Sequence, residues 1–281
     1  MTRRLVVTGD DFGARPGVNE AIVRAHTAGI LTSASLMVTG AAFDEAVELA
    51  RRHPGLSTGL HLVLCDARPA SPPETIPDLV NGDGRLTSRP APTGIAHAIF
   101  WRQRRHQLER EIRAQFERYA GTGLSFDHVD GHHHLHMHPL VFDVVARCMD
   151  DYKVPWVRLV DEDARAARRG GGRSLDELIA WTFALLARRN RRVLARGDAR
   201  GPDRIAGLRA TGGMDRQEWL RLLPRLDGVT VEVYTHPDAA GEAGPRELEA
   251  LCDPEVRAAL EATGYRLAGT RDLAQREVRE R

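Results

Sequence analysis

Leu5-Val6-Val7-Thr8-Gly9-Asp10-Asp11-Phe12-Gly13 carries the clearest strand signal in this 281-residue chain. Its first four residues form an apolar run, which predicts a short buried strand. Pro16 then suits the first turn of a helix, which the pattern extends to about Ala28. Asp10 and Asp11 therefore stand where the strand ends. In parallel α/β proteins, the groups that carry out chemistry gather at that end of the strands.

Short apolar runs alternate with helical patterns along the rest of the chain. Strand-like runs occupy residues 34–38, 56–64, 124–129, 156–160, 229–234 and 265–268. Helical patterns lie between them, for example over residues 104–119 and 246–263. Seven or eight strand–helix units predict one α/β domain over residues 1–281. The count favours a single (β/α) barrel, regular or distorted, over an open sheet, and no GxGxxG or GxxxxGK[ST] sequence supports the open sheet.

Two segments stand apart from this alternation. Residues 66–94 contain six of the 15 prolines and indicate a long loop, and such loops in compact domains are often lids or binding loops. Residues 164–203 form an arginine-rich helical segment, with an apolar run at 178–187 that includes Trp181 and Phe183. This segment is predicted either as a barrel helix with a solvated basic end or as a surface for peripheral membrane contact.

The composition excludes several classes of protein. Lys and Arg number 40 against 39 Asp and Glu, so the chain lacks the basic excess typical of nucleic-acid binders. Cys65, Cys148 and Cys252 are far apart, which predicts neither a disulfide framework nor a cysteine zinc site. The N-terminus is too short in apolar residues for a signal peptide, and the uncharged residues 25–43 are interrupted by Gly, Ser and Thr. We therefore expect a soluble, cytoplasmic protein.

Asp10 and Asp11 are neighbours at a strand end, so their side chains point in different directions. One carboxylate can bind a metal while the other faces a reacting water. The alternative is a solvated loop whose aspartate caps the next helix. His61 lies within the otherwise apolar run Gly59-Leu60-His61-Leu62. A lone histidine in a strand is more often a core or surface residue than a metal ligand.

Histidines are concentrated after a later predicted strand. Six of the chain's 12 histidines fall between residues 128 and 138. Histidine is the commonest protein ligand for borderline metals, and packing does not readily explain such a cluster. The segment predicts a metal site but does not say which histidines bind. His236 also follows a predicted strand, just before Pro237, and is equally consistent with a structural turn.

The predicted strand ends converge. In a (β/α) barrel, side chains at these ends meet over one pocket. Two histidines and one carboxylate would leave a position open for water, which is the pattern of a catalytic metal site. A metal there lowers the pKa of water and polarises a substrate carbonyl. The sequence has no GxSxG elbow that would offer a competing chemistry.

These residues resemble the YdjC-like carbohydrate deacetylases, a family that includes the chitooligosaccharide deacetylase. The matching motifs are VTGDDFGARPGVNEAI, GLHLVL, DHVDGHHHLHMHP and EVYTHPD, in the same order as in the family and between residues 5 and 238. Within the family, residues 31–38, 104–124 and 157–159 look closest to the branch associated with hopanoid lipid biosynthesis. Gly9 stands where an alanine is usual, and the arginine-rich segment matches little in the family.

The resemblance implies a role for each candidate residue. Asp11, His61 and His132 match the metal ligands of the family. Asp10 matches the proposed general base, and His236 matches a histidine that could protonate the departing amine. One divalent metal ion is implied. Histidine and carboxylate ligands favour zinc, cobalt or nickel over magnesium, although related proteins are often described with magnesium.

The resemblance also implies the reaction. We expect a metal-dependent hydrolase that removes the acetyl group from an N-acetylated amino sugar, carried by a hopanoid lipid or by a soluble chitooligosaccharide. A lipid substrate would bring the protein to the inner face of the membrane, and a homodimer remains open. Two other classes also remain open. One is a metal-dependent phosphoesterase, which would need further ligands for a second metal. The other is a non-catalytic metal- or lipid-binding protein, in which the Asp10-Asp11 pair has no role.

Overall fold

The computed structural model describes residues 2–87, 101–162 and 175–273. Seven strands in these ranges form one parallel sheet: β1 (Arg4–Phe12), β2 (Ser33–Leu36), β3 (Ser57–Leu62), β4 (His128–Gly131), β5 (Arg204–Ala206), β6 (Thr230–Thr235) and β7 (Arg266–Leu267). Eight α-helices in these ranges accompany the strands: α1 (Pro16–Thr27), α2 (Phe43–Arg52), α3 (Trp101–Ala120), α4 (Pro139–Tyr152), α5 (Leu175–Leu194), α6 (Arg216–Leu222), α7 (Ala243–Cys252) and α8 (Pro254–Ala262). Short 3₁₀ turns lie at Pro73–Thr75, His132–Met137 and Leu223–Arg225.

The sheet curls until its two edge strands approach a common segment. The strand order is β4-β3-β2-β1-β6-β5, and β7 pairs with the start of β1. Residues 156–162 run between the two edges, with parallel bridges from Val157 to Val129 and from Glu162 to Ile205. The amide of Arg158 donates to the Val129 carbonyl at 3.0 Å on the β4 side. These contacts close a distorted barrel, so the predicted (β/α) barrel is confirmed.

Three predicted elements differ from the structure. The strand predicted over residues 124–129 begins only at His128 and continues to Gly131. Residues 156–160 form isolated bridges instead of a regular strand, because Val157 pairs with β4 at one point and Trp156 pairs with Arg200 at another. The single helix predicted over 246–263 is two helices, α7 and α8. Asp253 ends the first and caps the second, since its carboxylate accepts from the amides of Glu255 and Val256. Pro254 cannot donate the backbone hydrogen bond that a continuous helix would need.

The two unusual segments are described only in part. Of the predicted loop 66–94, residues 66–87 are described, and the Glu111 carboxylate on α3 accepts hydrogen bonds from the amides of Ala70 and Ser71. Of the arginine-rich segment 164–203, residues 175–203 are described and begin with α5. Residues 88–94 and 164–174 lie outside the described ranges. In the part of the chain that is described, no helix is long and apolar enough to cross a membrane.

A glycine on β3 tests how closely the barrel strands approach each other. A Cβ at Gly59 would lie 2.2 Å from the carbonyl oxygen of His128 on β4 and 2.4 Å from its ring. We expect Gly59→Ala to destabilise the fold by about 1–3 kcal/mol or more, because the neighbouring strand cannot move away freely. Thermal unfolding would measure this loss. The matched variant Gly82→Ala should unfold like the wild type, since nothing lies within 4 Å of the added methyl group. Equal melting temperatures for the two variants would contradict the predicted crowding.

Candidate metal centre

The two neighbouring aspartates, Asp10 and Asp11, lie at an irregularity in the backbone at the end of β1. The pairing of β1 with β2 changes register between Gly9 and Phe12, as at a β-bulge. Within this irregularity Asp11 adopts a left-handed backbone conformation, with φ of 64°. Such a conformation is costly for a non-glycine residue and is typical of functional sites. The bulge therefore keeps the side chains of Asp10 and Asp11 at the carboxyl end of the barrel, in different surroundings.

Asp11 meets two histidines from different strand ends. Its Oδ1 atom lies 3.0 Å from Nδ1 of His132 and 3.2 Å from Nε2 of His61. One potential ligand atom of each residue lies within 4.8 Å of the others. The structure thus brings together the three residues that the family resemblance implies as ligands. Their arrangement could hold one divalent metal ion, and metal binding by them stays a prediction.

The orientation of His61 fits a metal ligand. Its Nδ1 atom lies 2.8 Å from Oδ1 of Asp130 and donates to that carboxylate. This bond directs Nε2 toward Asp11. Nε2 is buried and has no well-aligned hydrogen-bond partner among the described residues, despite its 3.2 Å approach to Asp11. A carboxylate that fixes the ring so that the opposite nitrogen is free is the usual environment of a metal-binding histidine.

The charges in this cluster shift the pKa values of its members. Burial alone would lower the pKa of His61, but the carboxylates of Asp130 and Asp11 raise it to about 10. Burial alone would raise the pKa of Asp11, yet the imidazoles of His132 and His61 next to it hold that pKa well below its usual range. The carboxylates around His61 favour a positive charge at its ring. Without a metal, that positive charge is supplied by a proton on His61.

A buried arginine lies beneath the cluster. Arg158 is 1% exposed, and its guanidinium donates to both oxygens of Asp10 at 2.8 Å. It also contacts Asp130 at 2.7 Å and Glu232 at 2.9 Å. Burial alone would raise the pKa of Asp130, but Arg158 and His61 hold it below its usual range. One guanidinium thus fixes the carboxylate of Asp10 and the carboxylate that orients His61.

His236 faces Asp10 from the end of β6. Its Nε2 atom lies 4.0 Å from Oδ2 of Asp10, too far for a direct hydrogen bond. Its backbone amide donates to the Glu247 carboxylate at 2.6 Å, which anchors the turn after β6. The side chain is 31% exposed, so it is open to solvent on the side of the pocket. His236 and Asp10 therefore lie close to each other, next to the Asp11 cluster.

The other histidines of the 128–138 segment make different contacts. His128 lies between the hydroxyl groups of Ser35 and Thr270, and burial lowers its pKa. His133 points toward Asp66, 3.4 Å away. Together with Cys65 these two residues form a second group of potential ligands, beside the first. Only His132 among these histidines joins Asp11 and His61, which the sequence could not establish without the family resemblance.

Two further histidines support the pocket from below. His134 approaches the Tyr234 hydroxyl at 3.0 Å, and Nε2 of His136 approaches the carbonyl oxygen of Arg158 at 2.9 Å. Burial lowers the pKa of His136 to about 4, so it is neutral at ordinary pH. Burial and the nearby charge of Arg158 hold the pKa of His134 well below its usual range. Both are therefore neutral side chains that fix the wall of the pocket.

Sequence reasoning missed Arg158, Asp130 and Glu232. Each is a charged residue within a short apolar run, in Trp156-Val157-Arg158-Leu159-Val160, His128-Val129-Asp130 and Val231-Glu232-Val233. All three are buried. A charged residue inside a buried strand needs a partner of opposite charge. This requirement is the sequence feature that could have identified the three residues. The opposite signs of the three residues could have suggested that they meet.

The fold and the site together define a parallel (β/α) barrel with a carboxylate–imidazole cluster at its carboxyl end. The model of the family described as YdjC-like protein matches residues 4–262, and the chain belongs to this family. The resemblance inferred from the motifs is therefore confirmed.

Individual relatives agree with this assignment. A carbohydrate deacetylase of Geobacillus stearothermophilus is 33% identical over 284 residues, covering 97% of this chain and 99% of the relative. A carbohydrate deacetylase of Brevibacillus brevis is 41% identical over 152 residues, a match that spans 54% of this chain and 58% of the relative. A solved structure from Enterococcus faecalis V583, provisionally described as a cellobiose-phosphate cleavage protein, is 26% identical with a TM-score of 0.73. It covers 98% of this chain and 100% of its own.

The raised pKa of His61 predicts a pH-dependent metal affinity. Below a pKa of about 10 the free protein carries a proton on His61, which a metal at Nε2 must displace. The apparent affinity should therefore rise with pH, by up to about tenfold per unit for one displaced proton. Competition with a chelator at several pH values would measure it.

Asp130→Asn provides the control for this measurement. Loss of the carboxylate charge should lower the pKa of His61, so that the affinity stops rising at a lower pH. A wild-type affinity that does not change with pH would contradict a protonated His61 in the free protein.

Proposed function

We propose that the protein is a metal-dependent carbohydrate deacetylase that hydrolyses the acetamide of an N-acetylated amino sugar. The observation that supports this most directly is the meeting of Asp11, His61 and His132 beside Asp10 at one end of the barrel. The full-length relative from Geobacillus stearothermophilus is named a carbohydrate deacetylase. That name agrees with the amide hydrolase predicted from the sequence motifs.

The proposed metal ligands are Asp11, His61 and His132. A divalent metal bound there would supply Lewis-acid chemistry, lowering the pKa of water and polarising the acetamide carbonyl. The buried Nε2 of His61 and the carboxylate of Asp11 suit a borderline metal, for which we propose zinc, with magnesium as the alternative.

Asp10 is the proposed general base. Its two oxygens accept from Arg158, and this bidentate pair fixes the plane of the carboxylate. In the proposed reaction, Asp10 takes a proton from the water that attacks the acetamide carbon.

His236 is the proposed general acid. It lies across the pocket from Asp10, with 4.0 Å between Nε2 and Oδ2. When the C–N bond breaks, a proton from His236 allows the nitrogen to leave as a neutral amine. Acetate and the free amino sugar are then the products. The partial exposure of His236 lets it regain its proton from solvent.

For the substrate, we propose an N-acetylglucosaminyl group carried by a hopanoid lipid, with soluble chitooligosaccharides as the alternative. The similarity of residues 31–38, 104–124 and 157–159 to the hopanoid-associated branch supports the lipid. Such a substrate lies in a membrane, so we propose that the protein acts in the cytoplasm, at the inner membrane face.

Comparing two substrates side by side tests this proposal. The purified protein would be incubated with N,N′-diacetylchitobiose and with an N-acetylglucosaminyl hopanoid, and mass spectrometry would follow the replacement of acetyl by hydrogen. We expect acetate from both, with faster turnover of the lipid. Acetate from chitobiose alone would reject the lipid substrate. Release of phosphate from phosphate esters without deacetylation would favour a phosphoesterase, and metal binding without hydrolysis would favour a non-catalytic protein.

The division of roles between the two aspartates predicts the effect of Asp10→Asn. Turnover should fall by about a hundredfold to ten-thousandfold, the usual contribution of a general base. Bound metal should stay unchanged, because Asp10 is not among the proposed ligands. Elemental analysis and acetate release would measure the two effects. Asp83→Asn, an exchange on an exposed loop, serves as the control and should behave like the wild type. Loss of metal in Asp10→Asn would show that Asp10 helps to bind it.

A further inference from the structure

Helix α5 exposes a row of large apolar side chains. Leu178 is 58% exposed, Trp181 is 61% exposed and Leu185 is 42% exposed. Ile179, beside them, is 40% exposed. Among the described residues only one other large apolar side chain, Val229, is comparably exposed, and it precedes β6 at the opposite end of the barrel. Exposed apolar groups collected on one helix mark an interaction surface more often than a random pattern does.

The apolar row continues into a basic row on the same face. Leu178, Trp181, Leu185, Arg188 and Arg192 follow one another at spacings of three and four residues, so they form one stripe along the helix. We call these five residues the α5 stripe. Between residues 178 and 197 the sequence contains five arginines and no acidic residue. The stripe is therefore apolar at one end and positively charged at the other.

The arginines of the stripe are available for an outside partner. The neighbouring Arg189 and Arg191 are engaged, with Asp143 and Asp161 respectively. Arg188 and Arg192 are exposed, and within residues 2–87, 101–162 and 175–273 no ion pair or hydrogen bond is found for either. Their charge is thus not neutralised by the part of the protein that the structure describes.

The apolar end of the stripe lies beside the candidate metal centre. Phe183, on another face of α5, packs its ring edge-on against His134, with 5.6 Å between the ring centres. His134 in turn contacts Tyr234, two residues before His236. The first half of α5 is therefore at the end of the barrel where the pocket opens, and the arginines lie farther from that end.

We propose that the α5 stripe docks the protein on an anionic lipid bilayer, with the mouth of the pocket facing the membrane. This inference rests on the proposed function, since a lipid-carried sugar is the substrate that such docking would serve. Leu178, Trp181 and Leu185 enter the boundary between headgroups and acyl chains, as the apolar face of an interfacial helix does. Arg188 and Arg192 contact the lipid phosphates.

The length of the stripe fits this orientation. Arg188 follows Trp181 by seven positions, which corresponds to about 10 Å along a helix. Interfacial helices bury their apolar side chains to a depth of roughly 5–10 Å. If the first half of α5 is inclined toward the bilayer, Arg188 is near the phosphates when Trp181 lies at the acyl boundary. The charge of the stripe matches an anionic surface, and this selects a bilayer over an apolar protein partner.

Vesicle flotation tests the docking. Wild-type protein should float with vesicles that contain phosphatidylglycerol, and at least tenfold less with pure phosphatidylcholine vesicles or at high salt. The double variant Trp181→Ser/Leu185→Ser should lose binding to both kinds of vesicle. Arg188→Gln/Arg192→Gln should lose the preference for anionic lipid. Val229→Ser, which removes the exposed apolar side chain outside α5, should bind like the wild type.

Two further measurements separate the alternatives. Hydrolysis of soluble chitobiose should be the same in all of these variants, which would show that the fold and the pocket are intact. Sedimentation should give the same mass for wild type and Trp181→Ser/Leu185→Ser. A wild-type dimer that this variant converts to a monomer would overturn the proposal, because a second copy would then cover the stripe. Absence of wild-type binding to anionic vesicles at low salt would also overturn it. Binding without deacetylation would contradict the proposed function and leave the docking supported.

Discussion

The guanidinium of Arg158 is the contact on which the rest of the site depends. It is buried together with the carboxylates of Asp10, Asp130 and Glu232, and each of them lies within hydrogen-bonding distance of it. An unpaired buried charge is strongly destabilising, so the guanidinium and the carboxylates around it compensate the cost of each other's burial. Because the guanidinium is planar and rigid, it also fixes where the carboxylates point. The guanidinium of Arg158 therefore both balances the charge of the buried carboxylates and fixes their orientation.

At the end of β1, the buried network around Arg158 adjoins the candidate metal centre. Asp10 belongs to the network around Arg158. Asp11, the next residue, does not, because it lies in the β-bulge and has a left-handed backbone conformation. A regular strand would direct Asp11 to the opposite face of the sheet from Asp10. The bulge keeps both residues at the same end of the barrel in different surroundings. One carboxylate is held by an arginine and the other faces two histidines, and this difference supports the different roles proposed for them.

Local sequence patterns predicted the barrel and the acidic and histidine clusters, because strand periodicity and ligand-type residues are visible along the chain. They did not predict contacts between distant segments. The pairing of Arg158 with Asp10 joins residues 148 positions apart, and no local pattern reports it. The choice of His132 needed the family motif, since its neighbours have the same chemistry. Within α5, the sequence grouped Trp181 with Phe183, whereas the helix places Phe183 against His134 and leaves Trp181 exposed.

The charge balance also supports the metal proposed for this cluster. Asp10, Asp11, Asp130 and Glu232 bring four carboxylates to the centre, and Arg158 neutralises only one of them. In the free protein part of the remaining negative charge is balanced by the proton that the raised pKa keeps on His61. A divalent cation between Asp11, His61 and His132 would balance more of it and would release that proton. Arg158 thus compensates part of the buried negative charge, and the charge it leaves uncompensated supports the proposed metal between Asp11, His61 and His132.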